Sequence, residues 1–352
     1  MQTILFTGGG SAGHVTPNIA LINKFLAAGW NVAYAGSKRG IEKDIIQHLK
    51  VSYYSIAAGK LRRYFSWRTF TEPFVILIGI IQAFFLCRKL KPNIIFSKGG
   101  FVAFPIVVGA WLNRIPVVIH ESDLTPGLAN KLSFPFASKI CVTFEEGAAH
   151  ITSRNIVVTG TPIRDSLLEG LPERGRNFCQ FGSDPVLLVL GGGQGAAIIN
   201  QTIRTILPKL LSTYQIAHIC GKGKLDNNYN NDRYRQFEYL NDELADLFAC
   251  SDLVISRAGA NSLYELLKLR KPHILIPLSR RASRGDQIIN AAYFAKRGLS
   301  NVLYEENLTG DSLLTMIQEV FSNKHELGQR LLDFTLPDSN QLIYKEIIQL
   351  TK

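Results

Sequence analysis

The sequence predicts an α/β protein of two similar doubly wound parallel-sheet domains that face each other across a cleft. Three observations carry this: apolar strand-like runs alternate with helical patterns, the alternation restarts midway through the 352 residues, and each half opens on its own glycine turn. A chain of this length also exceeds the size at which one hydrophobic core usually keeps growing.

The elements follow in order. TILFT reads as a strand and PNIALINKFLAAG as the helix after it; NVAYAG precedes KRGIEKDIIQHLK, NIIFSKGG precedes FPIVVGAWLNR, PVVIHE precedes GLANKLSFPFA, KICVTF precedes EEGAAHI, and IVVTG closes the half. Continuous Val, Ile and Leu runs bounded by glycine mark strands buried on both faces, and each spacer is long enough for a crossover helix. The pattern restarts with PVLLVLGGG and a helix from Gly195 to Leu211, then QIAHICGKG, RQFEYL with NDELADLFACS, LVISRAG with NSLYELLKLR, HILIPL and NVLYEE. Between the halves, TGTPIRDSLLEGLPERGRNF is rich in Gly, Pro and charge, which sets the boundary at Thr161 and gives domains 1–161 and 162–337. Ligands of such sheets lie outside the carboxyl ends of the strands, so the site is expected in the cleft between the domains.

Composition is that of an ordinary globular protein, 46% hydrophobic and 19% charged. The net charge of +11 fits anionic partners such as nucleotides, phospholipid headgroups or nucleic acids, and equally a soluble surface with surplus lysine. Cys87, Cys141, Cys179, Cys220 and Cys250 are scattered, with neither a C-x-x-C pair nor zinc spacing, which fits a reducing cytoplasm. The N-terminus runs directly into a strand without a basic leader, which argues against secretion. The longest apolar run, Phe74 to Leu86, is shorter than the ~20 residues of a spanning helix and contains Gln82, so it is expected not to cross a bilayer.

Residues 8–13, GGGSAG, have the G-x-G-x-x-G spacing of a dinucleotide-binding turn, and GGGQGA repeats the strand, glycine turn and helix about 180 residues later. A nicotinamide site needs an acid at the end of the second strand to hold the ribose. The second strands end in Tyr34-Ala35-Gly36-Ser37 and Ile219-Cys220-Gly221-Lys222, so neither has it. The turns keep their other property: glycines admit a close phosphate or sugar, and the following helix N-terminus presents N–H groups and partial positive charge. His14, just after the first turn, is a candidate proton acceptor, with capping or packing as its plainer role. SRAGANSLYE forms another anion-friendly helix start; Glu265 lies one turn in, on the side of Asn261 and Ser262, able to grip a ribose diol or merely to complement the helix dipole. Asp286 and Gln287 open a further helix, where they read sugar hydroxyls or act as caps.

TGGGSAGHVTPN, HESDLTPGLANK, GTPIR, GGGQGA, SRAGANSLYE and SRGDQIINA, in this order and spacing along essentially the whole chain, resemble the motifs of the MurG family of bacterial glycosyltransferases, in glycosyltransferase family 28. The resemblance implies a GT-B fold of two Rossmann-like domains, with a C-terminal helix, 338–352, returning to the first. It implies an inverting enzyme that moves N-acetylglucosamine from UDP-GlcNAc to the 4-hydroxyl of the muramyl sugar of lipid I, making lipid II. Carried over by motif, Ser11, Ala12 and Gly13 would lie by the transferred sugar and acceptor diphosphate, and His14 would be the base. Arg164 would contact the donor phosphates, Gly193 and Gln194 stand in the phosphate loop, and Leu240 would read uracil through its backbone. Ala260, Asn261 and Ser262 would meet the sugar diphosphate, Glu265 the ribose, and Gln287, beside Asp286, the GlcNAc hydroxyls.

Two departures stand out. Gly193 replaces the family's usual Ser or Thr, leaving only a backbone N–H for phosphate, and the common HEQN reads His120-Glu121-Ser122-Asp123, which puts a carboxylate where an amide stands near the sugar. They keep open a GT-B transferase acting on a different acceptor; a nucleotide-sugar-binding subunit that recruits a catalytic partner is a second alternative. No D-x-D motif occurs, and no cofactor or essential metal is expected. Phe74, Leu77, Ile78, Ile81, Phe84 and Phe85 recur at helical spacing, flanked by Lys60, Arg62, Arg63, Arg68, Arg88, Lys89 and Lys91. This fits a helix with one buried edge and one edge on anionic lipid at the cytoplasmic face of the membrane, with a core helix as the plainer reading. No nucleic-acid recognition motif is present.

Overall fold

The apolar runs pair as strands covered on both faces. In the computed structural model, which describes residues 1–59, 71–153 and 155–351, the chain separates into two compact units, residues 1–164 with 337–352 and residues 165–336.

In the first unit β1 (Thr3–Thr7), β2 (Asn31–Gly36), β3 (Ser52–Ser55), β4 (Ile94–Ser97), β5 (Val117–Glu121), β6 (Lys139–Val142) and β7 (Ile156–Val158) form a parallel sheet in the order β3-β2-β1-β4-β5-β6-β7. Around it run α1 (Thr16–Ala27), α2 (Ile41–Ile46), α3 (Glu72–Leu90), α4 (Ala103–Leu112), α5 (Leu128–Ser133) and α6 (Glu145–Ala148). Alternation along β1 sends Ile4 and Phe6 to one face, against Phe25, Tyr34 and Phe96, and Leu5 to the other, against Ile95, Ile106 and Val107.

The second unit contains α7 (Pro172–Cys179), β8 (Val186–Leu190), α8 (Ala197–Leu210), β9 (Gln215–Ile219), β10 (Tyr234–Phe237), α9 (Glu243–Cys250) and β11 (Leu253–Ser256). It continues through α10 (Ala260–Lys268), β12 (His273–Leu275), α11 (Asp286–Lys296), β13 (Asn301–Val302), α12 (Gly310–Ser322) and α13 (Lys324–Asp333). Its sheet, again parallel, runs β10-β9-β8-β11-β12-β13. Strand order therefore reverses between β1 and β4 in one unit and between β8 and β11 in the other, and the loops leaving these strands open the crevice where such sheets take ligands.

The final helix, α14 (Ser339–Gln349), starts on an Asp338 side chain that accepts from Gln341 N at 3.0 Å. It buries Ile343 and Ile347 against the first unit, and Asn340 Nδ2 donates to Ile163 O at 2.7 Å. The structure adds four elements that sequence patterning misses: β3, α7, and the helices α12 and α13 that follow β13. β3, SYYS, is a polar edge strand without an apolar run. α7 forms inside the Gly-, Pro- and charge-rich stretch because Pro172 opens it and Gly175 lets α9 approach, a Cβ there lying 2.3 Å from Asp246 O. α8 begins two residues later than its pattern suggests, since Gly195 at φ +68° still belongs to the turn.

Candidate functional site

The first glycine turn leaves β1 at the switch point and lies on the loop leaving β4. Gly9 N donates to Gly99 O at 3.3 Å, and at Gly100, φ +84°, a Cβ would come 2.0 Å from Gly9 O, so only glycine lets the two loops touch. The turn does not run straight into an α-helix, as its pattern suggests. A 3₁₀ turn, Ala12–His14, intervenes, in which His14 N donates to Ser11 O and Val15 N to Ala12 O. The Gly10 amide is occupied too, by the carboxylate of Glu42.

Glu42 is fully buried. Its Oε1 accepts from Ser37 N at 2.9 Å and Ser37 Oγ at 2.6 Å, its Oε2 from Gly10 N at 3.3 Å, and a Cβ on Gly9 would lie 2.6 Å from its carboxyl carbon. An acid does reach this turn, then, but from α2 beyond the end of the second strand, and it fills the turn instead of waiting at the strand tip for a ribose. Among the described residues the loop amides with no hydrogen bond include those of Ser11 and Ala12.

His14 is half-buried, with Nδ1 3.1 Å from Lys98 O. A carbonyl only accepts, so Nδ1 carries the proton and the basic lone pair of the neutral ring sits on Nε2. At the end of β5, His120 Nε2 donates to Gly160 O at 2.8 Å, which leaves Nδ1 to accept from Lys98 Nζ at 2.7 Å; Lys98 also donates to Ser122 Oγ. Burial pulls the Lys98 pKa down to about 7, against the upward push of Glu121 and Asp123. Burial, then the Lys98 charge, keep His120 neutral well below its usual range. Glu121, buried, braces the loop to residue 130: Oε1 accepts from Asp123 N at 3.0 Å, and Oε2 from Gly127 N at 3.0 Å and Asn130 Nδ2 at 2.9 Å. Asp123 is half-buried beside it, and Arg164, past the end of β7, has an Nε without a hydrogen-bond partner. Ser11 to His14, Asp123 and Arg164 thus all follow carboxyl ends of one parallel sheet.

In the second unit Gly193 and Gln194 are exposed in the turn after β8. That turn rests on the end of β9: a Cβ on Gly195 would lie 1.8 Å from Cys220 O, and Lys224 Nζ donates to Gln194 O at 2.7 Å and Gly195 O at 3.1 Å. Ala260, Asn261 and Ser262 form the first turn of α10, which has neither a side-chain cap nor an acidic residue, so the positive end of its dipole favours an approaching anion. Glu265 lies one turn further, half-buried. Arg257, at the base of this loop, is used internally, donating to Ile276 O at 3.1 Å and Glu305 Oε1 at 3.1 Å, while Glu305 Oε2 accepts from Ser279 N at 2.8 Å. Burial pushes the Glu305 pKa up, but these hydrogen bonds outweigh it and hold it below the usual carboxylate range.

Asp286 sits 3.5 Å from Arg284 Nε, and Gln287 Oε1 accepts from Leu278 N at 3.0 Å. α11 has no side-chain cap; the Gln287 oxygen instead ties down the loop after β12, and its amide N–H₂ is the part that can meet a ligand. Leu240 follows β10, half-buried beside exposed Tyr239. These residues, like those of the first unit, share the carboxyl edge of one sheet.

Sequence reasoning missed Glu42 and Lys98. A sign of Lys98 was present, since Ser97-Lys98-Gly99-Gly100 is another strand end followed by glycines; Glu42 looked like an ordinary first-turn acid of a surface helix.

α3 packs through Gly79, Ala83, Leu86 and Cys87, and Gln82 Oε1 accepts from Ala57 N at 2.7 Å. Its other side exposes Phe74 (69%), Leu77 (55%), Ile78 (49%), Ile81 (49%) and Phe85 (63%), with Phe84 half-buried. The helix outruns its apolar stretch: at 19 residues and mean hydropathy 1.8 it is, by length and composition, the helix among the described residues that could cross a membrane. Arg88, Lys89 and Lys91 are exposed at its C-terminal end, whereas Lys60, Arg62, Arg63 and Arg68 lie outside the described residues.

Residues 4–142 match the glycosyltransferase family 28 N-terminal domain and residues 186–337 its C-terminal domain. The chain is 57% identical, over 94% of its length and 92% of the relative's, to the UDP-N-acetylglucosamine–N-acetylmuramyl-(pentapeptide) pyrophosphoryl-undecaprenol N-acetylglucosamine transferase of Legionella pneumophila strain Paris. It is 50% identical, over 99% of both chains, to a Bacillus cereus protein of the same name numbered 2. Its fold is similar to the crystal structure of Acinetobacter baumannii MurG, with a TM-score of 0.75 and 21% identity over 99% of both chains. The Streptomyces glycosyltransferase SsfS6, solved with thymidine diphosphate, shares the fold at a TM-score of 0.63 and 15% identity, over 98% of this chain and all of that one.

Proposed function

The chain belongs to the MurG family of glycosyltransferase family 28, and we propose that it transfers N-acetylglucosamine from UDP-N-acetylglucosamine to the 4-hydroxyl of the muramyl sugar of undecaprenyl-pyrophosphoryl-N-acetylmuramyl-pentapeptide, lipid I, forming lipid II for peptidoglycan. The observation that carries this reading is the 57% identity, along nearly the whole chain, to a transferase named for that reaction.

In this reading His14 Nε2 removes the proton of the attacking hydroxyl, with Nδ1–H held by Lys98 O. The oxygen attacks the anomeric carbon in line, the bond to the diphosphate breaks, and the configuration inverts. The amides of Ser11 and Ala12, with Gly13, attend the acceptor diphosphate. The donor lies on the second unit, its diphosphate at the first turn of α10, Ala260, Asn261 and Ser262, and on the backbone of Gly193 and Gln194. Leu240 meets the uracil, Glu265 the ribose diol, and Gln287, through its N–H₂, the sugar hydroxyls, with Asp286 beside it. The unpartnered Nε of Arg164 supports its role toward the leaving diphosphate. Dipoles fixed before reaction stabilise charge on the departing UDP without reorganising at that moment.

The exposed apolar face of α3, with Arg88 and Lys89 at its end, meets the cytoplasmic face of the membrane, where anionic headgroups and the lipid-linked acceptor lie. UDP release from UDP-N-acetylglucosamine by purified protein tests the function: it is expected only when lipid I is supplied, and release without acceptor, or none with it, would overturn the reading.

A further inference from the structure

Lys98 follows β4 at the switch point and is 1% exposed. A buried ammonium is tolerated only with partners, and these come from a different loop: His120 Nδ1 at 2.7 Å and Ser122 Oγ. The His120 tautomer is set by Gly160 O, so the ring offers Lys98 a lone pair and not a competing proton. The same residue's main-chain carbonyl orients His14, and the next residue's carbonyl accepts from Gly9 N. Three loops leaving β1, β4 and β5 thus converge on one side chain and its peptide group.

The charged and titratable groups around it are the carboxylates of Glu121 and Asp123, the Cys141 thiol, which burial pushes up to about 12, and the neutral His120 ring. Both Glu121 oxygens already accept from the loop. Asp123 is the carboxylate that replaces an amide of the family pattern, and Ser122, which Lys98 holds, is its neighbour.

We propose that Lys98 is a positioning residue for the transfer reaction: its side chain fixes the Ser122–Asp123 loop, its carbonyl fixes the reactive tautomer of His14, and its charge balances the carboxylate this chain carries at Asp123. The inference rests on the transferase reading for its activity test. Because Asp123 raises the Lys98 pKa, its removal makes the ammonium easier to lose.

The test is a double-mutant cycle of Lys98→Met, Asp123→Asn and the pair, in the full chain, with UDP-N-acetylglucosamine and lipid I. Lys98→Met is expected to lower kcat by about 10- to 100-fold, with the KM for UDP-N-acetylglucosamine within about twofold of wild type. Adding Asp123→Asn should restore about tenfold, because the unbalanced carboxylate goes with it. Asp123→Asn alone should move the alkaline fall of kcat to lower pH. Strictly additive single and double variants, or an unmoved alkaline limb, would overturn the proposal; if Lys98→Met fails to fold, the limb shift decides alone. Absence of wild-type turnover would instead sink the transferase reading. The Lys98–Asp123 coupling is then read from the thermal unfolding of the same four proteins across pH 6 to 9, and no coupling there overturns it.

Discussion

The Glu42 carboxylate lies against the Gly10 amide, Oε2 3.3 Å from N, so the first glycine turn carries its anion within the chain. Gly10 N, Ser37 N and Ser37 Oγ all depend on it. Glu42→Ala leaves these donors unsatisfied and is expected to cost about 2–4 kcal/mol of stability, with Glu42→Gln losing less. Urea unfolding of the two variants measures this; a change below about 0.5 kcal/mol in Glu42→Ala would show that the carboxylate is not needed there.

His14→Ala should keep its fold, since the side chain is half-buried and outside the apolar core. With the proposed base gone, kcat should fall by about 10²- to 10⁴-fold while UDP-N-acetylglucosamine binding stays close to wild type. Single-turnover kinetics separate the two effects, and a fall confined to binding would assign His14 a different role.

Gly193 is exposed, and its φ lies outside the left-handed region that favours glycine. Gly193→Ser supplies the hydroxyl of the family pattern. One added hydrogen bond of about 0.5–1.5 kcal/mol corresponds to a roughly 2- to 10-fold lower Kd for UDP, measurable by calorimetry. Weaker binding would mean that the phosphate does not approach this turn.

Phe74 and Leu77 are largely exposed, so Phe74→Ser with Leu77→Ser removes apolar surface without opening the core. At about 1.5–3 kcal/mol for each fully buried side chain, binding to vesicles with anionic phospholipid should weaken by about tenfold or more while the melting temperature stays put. Unchanged binding in a folded variant would exclude this face as the membrane contact.

Burial holds the His218 pKa down at about 3 and that of His273 at about 4, both from an ordinary 6.5. The unfolded chain therefore binds more protons once the pH falls below about 6.5, so stability is full above that pH and is lost on acidification toward the folded values. By pH 5.5 the loss should be about 1 kcal/mol for each histidine. Urea midpoints at pH 7.5 and 5.5 check this, and a flat profile would contradict the buried neutral rings, which bond Tyr234 OH at 2.8 Å and Asn200 Oδ1 at 3.0 Å for His218, and Lys271 O and Ser300 Oγ for His273.

The sequence by itself determined the strand runs, the turns that follow β1, β8 and β11, and the absence of an acid at the ends of β2 and β9, because hydrophobic period and turn chemistry are properties of a few consecutive residues. It also placed His14 and Ala260 to Ser262 at strand ends, and hence on a sheet edge. Only the tertiary structure decided what satisfies those loops: Glu42 closing on Gly10 from another helix, Lys98 reaching His120, and Gln287 turning its oxygen to Leu278. The reason is physical. A buried charge or amide must find a partner wherever the fold brings one within about 3 Å, and that proximity is set by crossover connections between residues far apart in the chain, which no local pattern records.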